Sequence, residues 1–335
     1  MPLDNAAMTL ADYAVLKNDP LTAGVVLSLH KLGSVLQDMK FKTTNTGVIR
    51  GARFTHSGLP TATFRKLNDS ATTVRATPSS YMERSFILSN NIDVDDVMMR
   101  DQALGVNPQA AQLQAYLESV SRVINDYFIN NDPITGDDDA PIGIRYRLDN
   151  PSEYGVSSDL KWNHGGVDLS PAGLTATTAN NFIRQLDEHL HAMGSPEGDD
   201  IVIYMNETLA AAFPAALRVL GVGGWGFVPD AFGRMVTKFR NATVRALGRA
   251  LDGTTKVIAN TETAAGADGT SDFTSYYMVK YSPGYFEPWQ QLPMEVTNFG
   301  QVSGQKYHRL NIQWPFGYMH SSLYSIGRGY NIKIK

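Results

Sequence analysis

The sequence predicts an α+β fold with a projecting hairpin, and three features carry that prediction. Residues 42 to 88 are poor in apolar side chains and broken by turn residues. An amphipathic segment of helical period follows from Asn107 to Asn131. The remainder alternates between helix-like and strand-like patterns, ending in an antiparallel-looking third.

At the N-terminus, Thr9 followed by Asp12 reads as a capping box opening a helix over Leu10 to Lys17. Asp19-Pro20 opens a second helix, since Asp caps and Pro at the first helical position forfeits no hydrogen bond. That helix runs through GVVLSLHKL to Gly33. The pair fits either an arm or an ordinary helical hairpin.

Between Lys42 and Arg84 only 13 of 43 residues are apolar, against 43% for the chain, so this segment cannot drive its own packing. Short β-prone pieces (Val48-Ile49, Phe64, Thr72 to Val74, Phe86 to Leu88) are separated by Gly47, Gly51, Gly58-Leu59-Pro60 and Pro78. Two arms of about 20 residues reach up to ~65 Å at about 3.3 Å per residue. A compact chain of this length has a radius of gyration of only ~20 Å. The hairpin should therefore extend beyond its own subunit, where its exposed edges need covering by another chain. A flap over an active site is the other reading.

Leu113, Leu117, Val120, Ile124 and Phe128 line one face of the segment from Asn107 to Asn131, with Tyr116, Val123 and Tyr127 beside them. This predicts a helix about 36 Å long at 1.5 Å per residue, with one buried side. After the acidic loop Gly136 to Asp139, Ile142 to Arg147 reads as a strand. Thr178 caps a helix through Met193, stopped by Gly194-Ser195-Pro196. Ile201 to Met205 is a strand, Asn206 caps the next helix, Pro214 kinks it and Gly221 ends it. Strands are expected at Arg234 to Thr237, Lys256 to Ala259, Tyr276 to Tyr281, Met294 to Val296 and Lys306 to Phe316. In the last, Leu310, Ile312, Trp314 and Phe316 alternate as in a half-buried strand.

Composition excludes several classes. With 29 basic and 33 acidic residues the net charge is −4, which is wrong for a chain that coats nucleic acid. An apolar fraction of 43% is too high for a disordered polyanion. Charged residues are 19%, below the usual ~25%, which leaves a weakly polar exterior suited to meeting other subunits. There is no cysteine, hence no disulfide, thiolate metal site or cysteine nucleophile. The N-terminus lacks the basic and apolar regions of a signal peptide.

Recognisable catalytic motifs are missing: no HExxH, GxSxG, GxxxxGK[ST] or strand-to-helix GxGxxG occurs. The cluster Gly221, Gly223, Gly224 and Gly226 follows a helix, so it cannot present amides at a helix start and reads as a mobile loop. His189 and His191 point in different directions on one helix and read as surface residues. His164 and His308 are isolated in sequence. Asp137 to Asp139 reads as a solvated turn rather than a cation site. No enzyme activity, cofactor or metal is expected.

The sharpest signal is charge arrangement. Lys40 to Arg84 holds eight basic residues (Lys40, Lys42, Arg50, Arg53, Arg65, Lys66, Arg75, Arg84) against Asp69 and Glu83, a net of +6. Asp93 to Asp139 holds ten acidic residues (Asp93, Asp95, Asp96, Asp101, Glu118, Asp126, Asp132, Asp137, Asp138, Asp139) against Arg100 and Arg122, a net of −8. A basic hairpin and an acidic helical region in one chain are self-complementary between copies, and head-to-tail contacts of this kind close into rings or continue into shells. Nucleic acid is a poorer partner for the hairpin, because Phe54, Phe64 and Tyr81 are scattered rather than clustered for stacking.

The order of these parts resembles the major capsid protein of tailed bacteriophages with the Hong Kong 97 fold. TLADYAVLKNDPLTAGVV is similar to that family's N-terminal arm, residues 42 to 88 to its extended E-loop, and Asn107 to Asn131 to its spine helix. TTANNFIRQLDEHLHAM and DDIVIYMNETLAAAF resemble the helix, strand and capped helix of its axial domain. GRALDGTTKVIAN and QKYHRLNIQWPFGYMH resemble its later strands. The resemblance implies an arm with short helices at 1–41, an E-loop at 42–88 and a peripheral domain at 89–175. An axial domain at 176–290 follows, and strands at 291–335 return to the peripheral domain.

Further expectations follow from the same resemblance. The chain would self-assemble into hexamers and pentamers of an icosahedral shell enclosing double-stranded DNA, packaged without sequence specificity. Scaffold, portal and decoration proteins would be its partners. It would sit in the virion after assembly in the host cytoplasm, without a membrane. Its subunit interfaces would use Lys42, Arg50, Arg53, Arg65, Lys66, Arg75 and Arg84 against Asp93, Asp95, Asp96, Glu118, Asp126, Asp137, Asp138 and Asp139. No long helical segment precedes Thr9, so any scaffold would be separate or already removed. Some members cross-link a loop lysine to a neighbour's asparagine; Lys66 is the sole lysine between Thr43 and Leu160, but no asparagine can be placed opposite it and no cross-link is predicted. An encapsulin-like compartment is the alternative, and a soluble hydrolase with 42–88 as a lid a more distant one.

Overall fold

The structure is a computed structural model that describes residues 8–16, 19–54, 60–100, 107–195, 197–221, 225–229, 235–263, 266–267 and 272–335. Lys17, Gly58-Leu59, Asp101, Pro196, Gly223, Gly224 and Arg234, all named above, lie outside the described residues.

The chain opens with β1 (Met8–Thr9), α1 (Leu10–Leu16), α2 (Pro20–Leu32) and β2 (Lys40–Thr43). A hairpin of β3 (Val48–Phe54) and β4 (Pro78–Arg84) follows, then β5 (Phe86–Asp95), α3 (Asp96–Arg100) and the long α4 (Pro108–Asn130). Next come α5 (Ile144–Asp149), α6 (Pro151–Tyr154), β6 (Lys161–Asp168), α7 (Ala176–Ala192), β7 (Ile201–Asn206) and α8 (Glu207–Leu220). Then follow β8 (Trp225–Pro229), β9 (Met235–Phe239), β10 (Ala242–Leu247), β11 (Glu262–Thr263), β12 (Gly266–Ala267) and β13 (Phe273–Lys280). The chain closes with β14 (Phe286–Gln290), β15 (Glu295–Gln301), β16 (Tyr307–His320) and β17 (Ile326–Lys333).

Two large sheets organise these elements. One runs β6-β17-β13-β7-β10-β9-β8; the other runs β1-β2-β14-β16-β15, with β5 also paired to β16. Strand β7 is buried on both faces, as its unbroken run IVIYM requires. Ile201, Ile203 and Met205 face a core shared with Phe182 and Leu186 of α7 and Phe213 and Leu217 of α8. Val202 and Tyr204 face the other core, built from α2, α4 and the β16 sheet. In β16 the expected alternation is observed: Leu310, Ile312, Trp314 and Phe316 are buried. The α4 stripe is observed too, with Leu117, Val120, Ile124 and Phe128 buried under an Asn107 cap that accepts from the Gln109 and Ala110 amides.

Several expectations are corrected. The N-terminal helices form no free arm: Leu10, Ala14, Val25, Val26 and Leu29 are buried in the α4 core. Ile142 to Arg147 is not a strand; α5 starts at Ile144 and buries Ile144, Arg147 and Leu148 at helical spacing. The cap of α7 is Thr175, three residues before Thr178, whose hydroxyl completes a reciprocal capping box. Lys256 to Ala259 makes only an isolated bridge from Lys256 to Arg249. The C-terminal segment does not return as one unit. Strands β15 and β16 join the sheet containing β5, but β17 inserts between β6 and β13 in the other, where Arg328 and Tyr330 meet Lys161 and Asn163 of β6.

His189 is not on the surface. It is fully buried, and its Nδ1 lies 3.0 Å from the Tyr276 hydroxyl, which also meets His164 Nε2 at 2.9 Å. The ring of His189 stacks on Trp162 with centroids 5.8 Å apart. Gly329 of β17 makes room for Tyr276, because a Cβ there would lie 2.2 Å from its ring. Burial lowers His164 to about 3, with His189 adding repulsion, and burial lowers His189 to about 4. Both are neutral at pH 7. His191, in contrast, is exposed as expected.

Candidate assembly surface

The hairpin is a ladder of seven cross-strand pairs from Val48↔Arg84 to Phe54↔Pro78. Beyond it, residues 60–77 pair with no strand among the described residues and are exposed almost throughout. Phe64 and Leu67 are 102% and 91% exposed, so this tip rests on nothing in its own subunit. Fully exposed large apolar side chains flanking Arg65 and Lys66 are what a covered contact leaves when its partner is removed.

The root of the hairpin is the opposite. Arg147 of α5 donates from Nη1 and Nη2 to Glu83 Oε1 and Oε2 at 2.5 and 2.9 Å, and both residues are buried. Nη1 also donates to His320 Nδ1 at 2.9 Å, while His320 Nε2 donates to the Tyr154 carbonyl. Arg53 Nη1 lies 2.8 Å from the same Nε2, and the Arg53 guanidinium stacks over Tyr81, 4.4 Å from the ring centroid. Burial, then the charges of Arg147 and Arg53, hold His320 well below the ordinary imidazole range, so it is neutral. The Tyr81 hydroxyl closes the contact on Ser321 Oγ at 3.0 Å. Bidentate pairing inside a buried site fixes direction as well as position, so the angle at which the hairpin leaves the subunit is set here.

Gly155 makes that seat possible. It ends α6 in the left-handed conformation at φ 60°, and a Cβ on it would fall 2.4 Å from Arg53 Cδ. Gly155→Ala is therefore expected to destabilise the subunit by ~1–2 kcal/mol from backbone strain alone, and to raise amide exchange in β3 and β4. Unchanged exchange in both strands would mean that Arg53 does not depend on Gly155.

The predicted basic residues separate into two groups. Arg50, Arg65, Lys66 and Arg75 are exposed on the hairpin, with no ion pair among the described residues. Lys42 is exposed but lies on β2, before the hairpin. Arg53 is 4% exposed and belongs to the root. Arg84 donates to the backbone carbonyl of Asp138 in its own chain and stacks over Phe86.

The acidic residues separate likewise. Asp93 is held by a bidentate pair with Arg309 at 2.7 Å, Asp96 by Arg100 and His308, and Glu118 by Arg122. Asp93, Asp95 and Asp96 sit on β5 and the start of α3, away from the long helix in sequence. Asp95 accepts the Val97 amide, and Asp126 accepts from Asn130 Nδ2 at 2.7 Å. Asp137 to Asp139 form a loop after α4, braced by Asn131, whose Nδ2 donates to the carbonyls of Asp137, Ala140 and Pro141. Their carboxylates lie within 4.8 Å of one another and face solvent. An acidic turn with backbone bracing is not by itself a metal site. With Asp93, Asp96 and Glu118 paired, Asp126, Asp132 and Asp137 to Asp139 gather toward the end of α4 and in this loop.

The buried root was missed in the sequence because its members, Arg53, Glu83, Arg147 and His320, are far apart along the chain. No helix among the described residues is long and apolar enough to cross a membrane.

No family model matches the sequence, and no curated protein matches it. Solved structures do match. The capsid of an empty GTA particle is 14% identical over 90% of both chains, with a TM-score of 0.57. The SrpI encapsulin of Synechococcus elongatus PCC 7942 is 11% identical over 89% of this chain and 87% of that one, at 0.56. The capsid of the Myoviridae phage XM1 is 11% identical over 88% of this chain and 90% of that one, at 0.52. Coverage of nearly the whole length of each, together with a hairpin, a long helix and two sheets in the expected order, establishes the architecture: this chain has the Hong Kong 97-type capsid fold.

Proposed function

We propose that the chain is the major capsid protein of a tailed bacteriophage, a structural subunit whose activity is self-assembly. In this reading it forms the hexamers and pentamers of an icosahedral shell around double-stranded DNA. The observation that carries the reading is the hairpin: rigidly seated at its root, yet presenting Phe64, Leu67, Arg65 and Lys66 to solvent. Capsids among the fold's relatives support it. The sheet holding β7 with α7 and α8 corresponds to the axial domain, and the β16 sheet with α4 to the peripheral domain. Exposed hairpin cations and the loop Asp137 to Asp139 form the complementary interface charges. Scaffold, portal and decoration proteins would join it, and the shell would assemble in the host cytoplasm before residing in the virion.

Purified chain, with scaffold supplied, is expected to give closed shells by electron microscopy. A chain that stays monomeric at high concentration under those conditions would reject the reading. Reversing Arg50, Arg65, Lys66 and Arg75 to Glu together should abolish shells while leaving the melting temperature of the subunit unchanged. Arg53, in the sequence an interface candidate, is kept out of that set, because reversing a buried cation would unfold the root instead. The encapsulin match supports a second reading, a compartment with protein cargo. Particles that purify with an enzyme and without nucleic acid would favour it.

A further inference from the structure

The two large sheets end in edge strands, and among the described residues all but one of these are blunted. The β6 edge is kinked at Gly165 and Gly166, with φ of 64° and 75°, and its register shifts against β17. The β8 edge is five residues long and stops at Pro229. In the other sheet β1 has only two residues, and the β15 register shifts between Asn298 and Gly300. Strand β5 is the exception. Its ten residues, FILSNNIDVD, hold no Gly, Pro or Lys, and they pair with β16 from Tyr307↔Asp95 to Phe316↔Phe86 without a shift. No strand among the described residues pairs with the other side of β5. A long, regular, unguarded edge is a template for another strand.

Parity fixes which groups the edge offers. The Asp96 amide donates to the Lys306 carbonyl at 2.9 Å, one step beyond the Asp95↔Tyr307 pair. Bonded and non-bonded pairs alternate along an antiparallel ladder, so the even residues from Phe86 to Val94 turn their backbone groups to β16. The odd residues, Ile87, Ser89, Asn91, Asp93 and Asp95, turn theirs outward. Ser85, the odd residue before them, is already taken, because its amide donates to the Gly47 carbonyl at 2.8 Å. The bare edge therefore runs from Ile87 to Asp95, and its midpoint is Asn91.

A second copy of the same strand fits this edge. Antiparallel pairing over its whole length opposes Ile87 with Asp95, Ser89 with Asp93, and Asn91 with itself. The acidic half of each strand meets the uncharged half of the other, so no like charges face one another. On the core side Leu88 meets Val94. Helix α3 follows Asp95 directly, which brings Val97 and Met98 of one copy alongside Ile87 of the other. These three apolar side chains are 74%, 45% and 61% exposed in the single chain. The same contact covers them at both ends of the ladder.

We propose that the β5 strands of two subunits pair edge to edge across a two-fold axis at Asn91, joining their β16 sheets into one continuous sheet. The pairing does not involve the hairpin, and it closes on itself as a dimer. It stands or falls separately from the assembly reading: a chain that pairs but builds no shell would reject that reading alone.

The chain has no cysteine, which makes the test direct. Opposed Cα atoms of a hydrogen-bonded antiparallel pair lie about 5.5 Å apart, within the span of a disulfide. Concentrated Asn91→Cys chain, treated with an oxidant, is expected to give one covalent dimer. Asp95→Cys, at another exposed position, should stay monomeric, because the two copies of that residue would lie ~27 Å apart at about 3.4 Å per residue. Dimers from both variants, or from neither, would overturn the pairing.

Two further measurements keep the geometry of the native edge in view. In the unmodified chain the amides of Ser89, Asn91 and Asp93 should exchange more slowly as concentration rises, while those of Leu88, Asn90 and Ile92, already bonded to β16, should not change. Slowing that comes only when another protein is added would assign the edge to that protein and overturn the pairing of copies. Ser89→Asp, set opposite Asp93, should weaken self-association about fivefold, and Ser89→Lys should strengthen it by a similar factor. Equal association of these two variants would also overturn the proposal.

Discussion

Replacing Arg147 with alanine is expected to cost about 3–5 kcal/mol of folding stability, among the largest losses available to a single substitution in this chain. The reason is asymmetry. Arg147 supplies both bonds to the buried carboxylate of Glu83 and the bond to His320 Nδ1, so its removal leaves a charge and a ring nitrogen without partners in a site closed to water. Glu83 cannot swing out to solvent, because it is pinned in the ladder opposite Ile49. Replacing the pair by apolar groups, Arg147→Met with Glu83→Leu, should recover most of the loss, since neither charge then remains. The two variants separate stability from direction: the double variant should fold but hold its hairpin loosely, seen as faster amide exchange in β3 and β4 and a lower yield of closed shells. Urea midpoints measure the first effect. A loss below about 1 kcal/mol for Arg147→Ala would mean that water reaches Glu83 and that the root does not fix the hairpin's angle.

A second large effect concerns pH. His164 and His189 titrate near 3 and near 4 in the folded chain, against about 6.5 when unfolded. Below 6.5 the unfolded chain binds protons that the folded chain refuses, so acid favours unfolding. Their neutral burial contributes stability that is fully present above pH 6.5 and is lost as pH falls toward the folded values. Each group costs up to ~1.4 kcal/mol per pH unit in that window, so the pair should remove several kcal/mol between pH 6.5 and 4.5. His320, also depressed by burial and its arginine neighbours, adds to the slope in the same direction. Urea midpoints at pH 7.5, 6.5, 5.5 and 4.5 measure it. His164→Gln should flatten the profile. Equal midpoints at pH 6.5 and 4.5 would mean that the histidine cluster is wet.

What was legible in the sequence was whatever local chemistry decides. The caps at Asp19, Asn107 and Asn206, the stripe along α4 and the alternation in β16 were all readable, because each depends on residues within a few positions of one another. The hairpin was readable for the opposite reason, a lack of apolar residues. Tertiary pairing was not. Strand β17 carries Gly327, Arg328 and Gly329 where a strand pattern expects bulk, and only the rings of His189 and Tyr276 above it explain the glycines. The burial of His189 did have a signal that went unused: with Phe182, Leu186 and Leu190 it completes one apolar face at spacings of four, three and one. Charge was legible in sum but not in place, because Arg309, Arg100 and Arg122 pair locally with Asp93, Asp96 and Glu118, three of the ten acidic residues.

The crossing of the last 30 residues between sheets has a consequence for the order of events during synthesis. Strand β16 is the centre of one sheet and β17 an interior strand of the other, so the middles of both are vacant until the ribosome has passed residue 333. The latch residue His320 also arrives late. The nascent chain therefore has both strands of its hairpin long before it has the seat that fixes their direction.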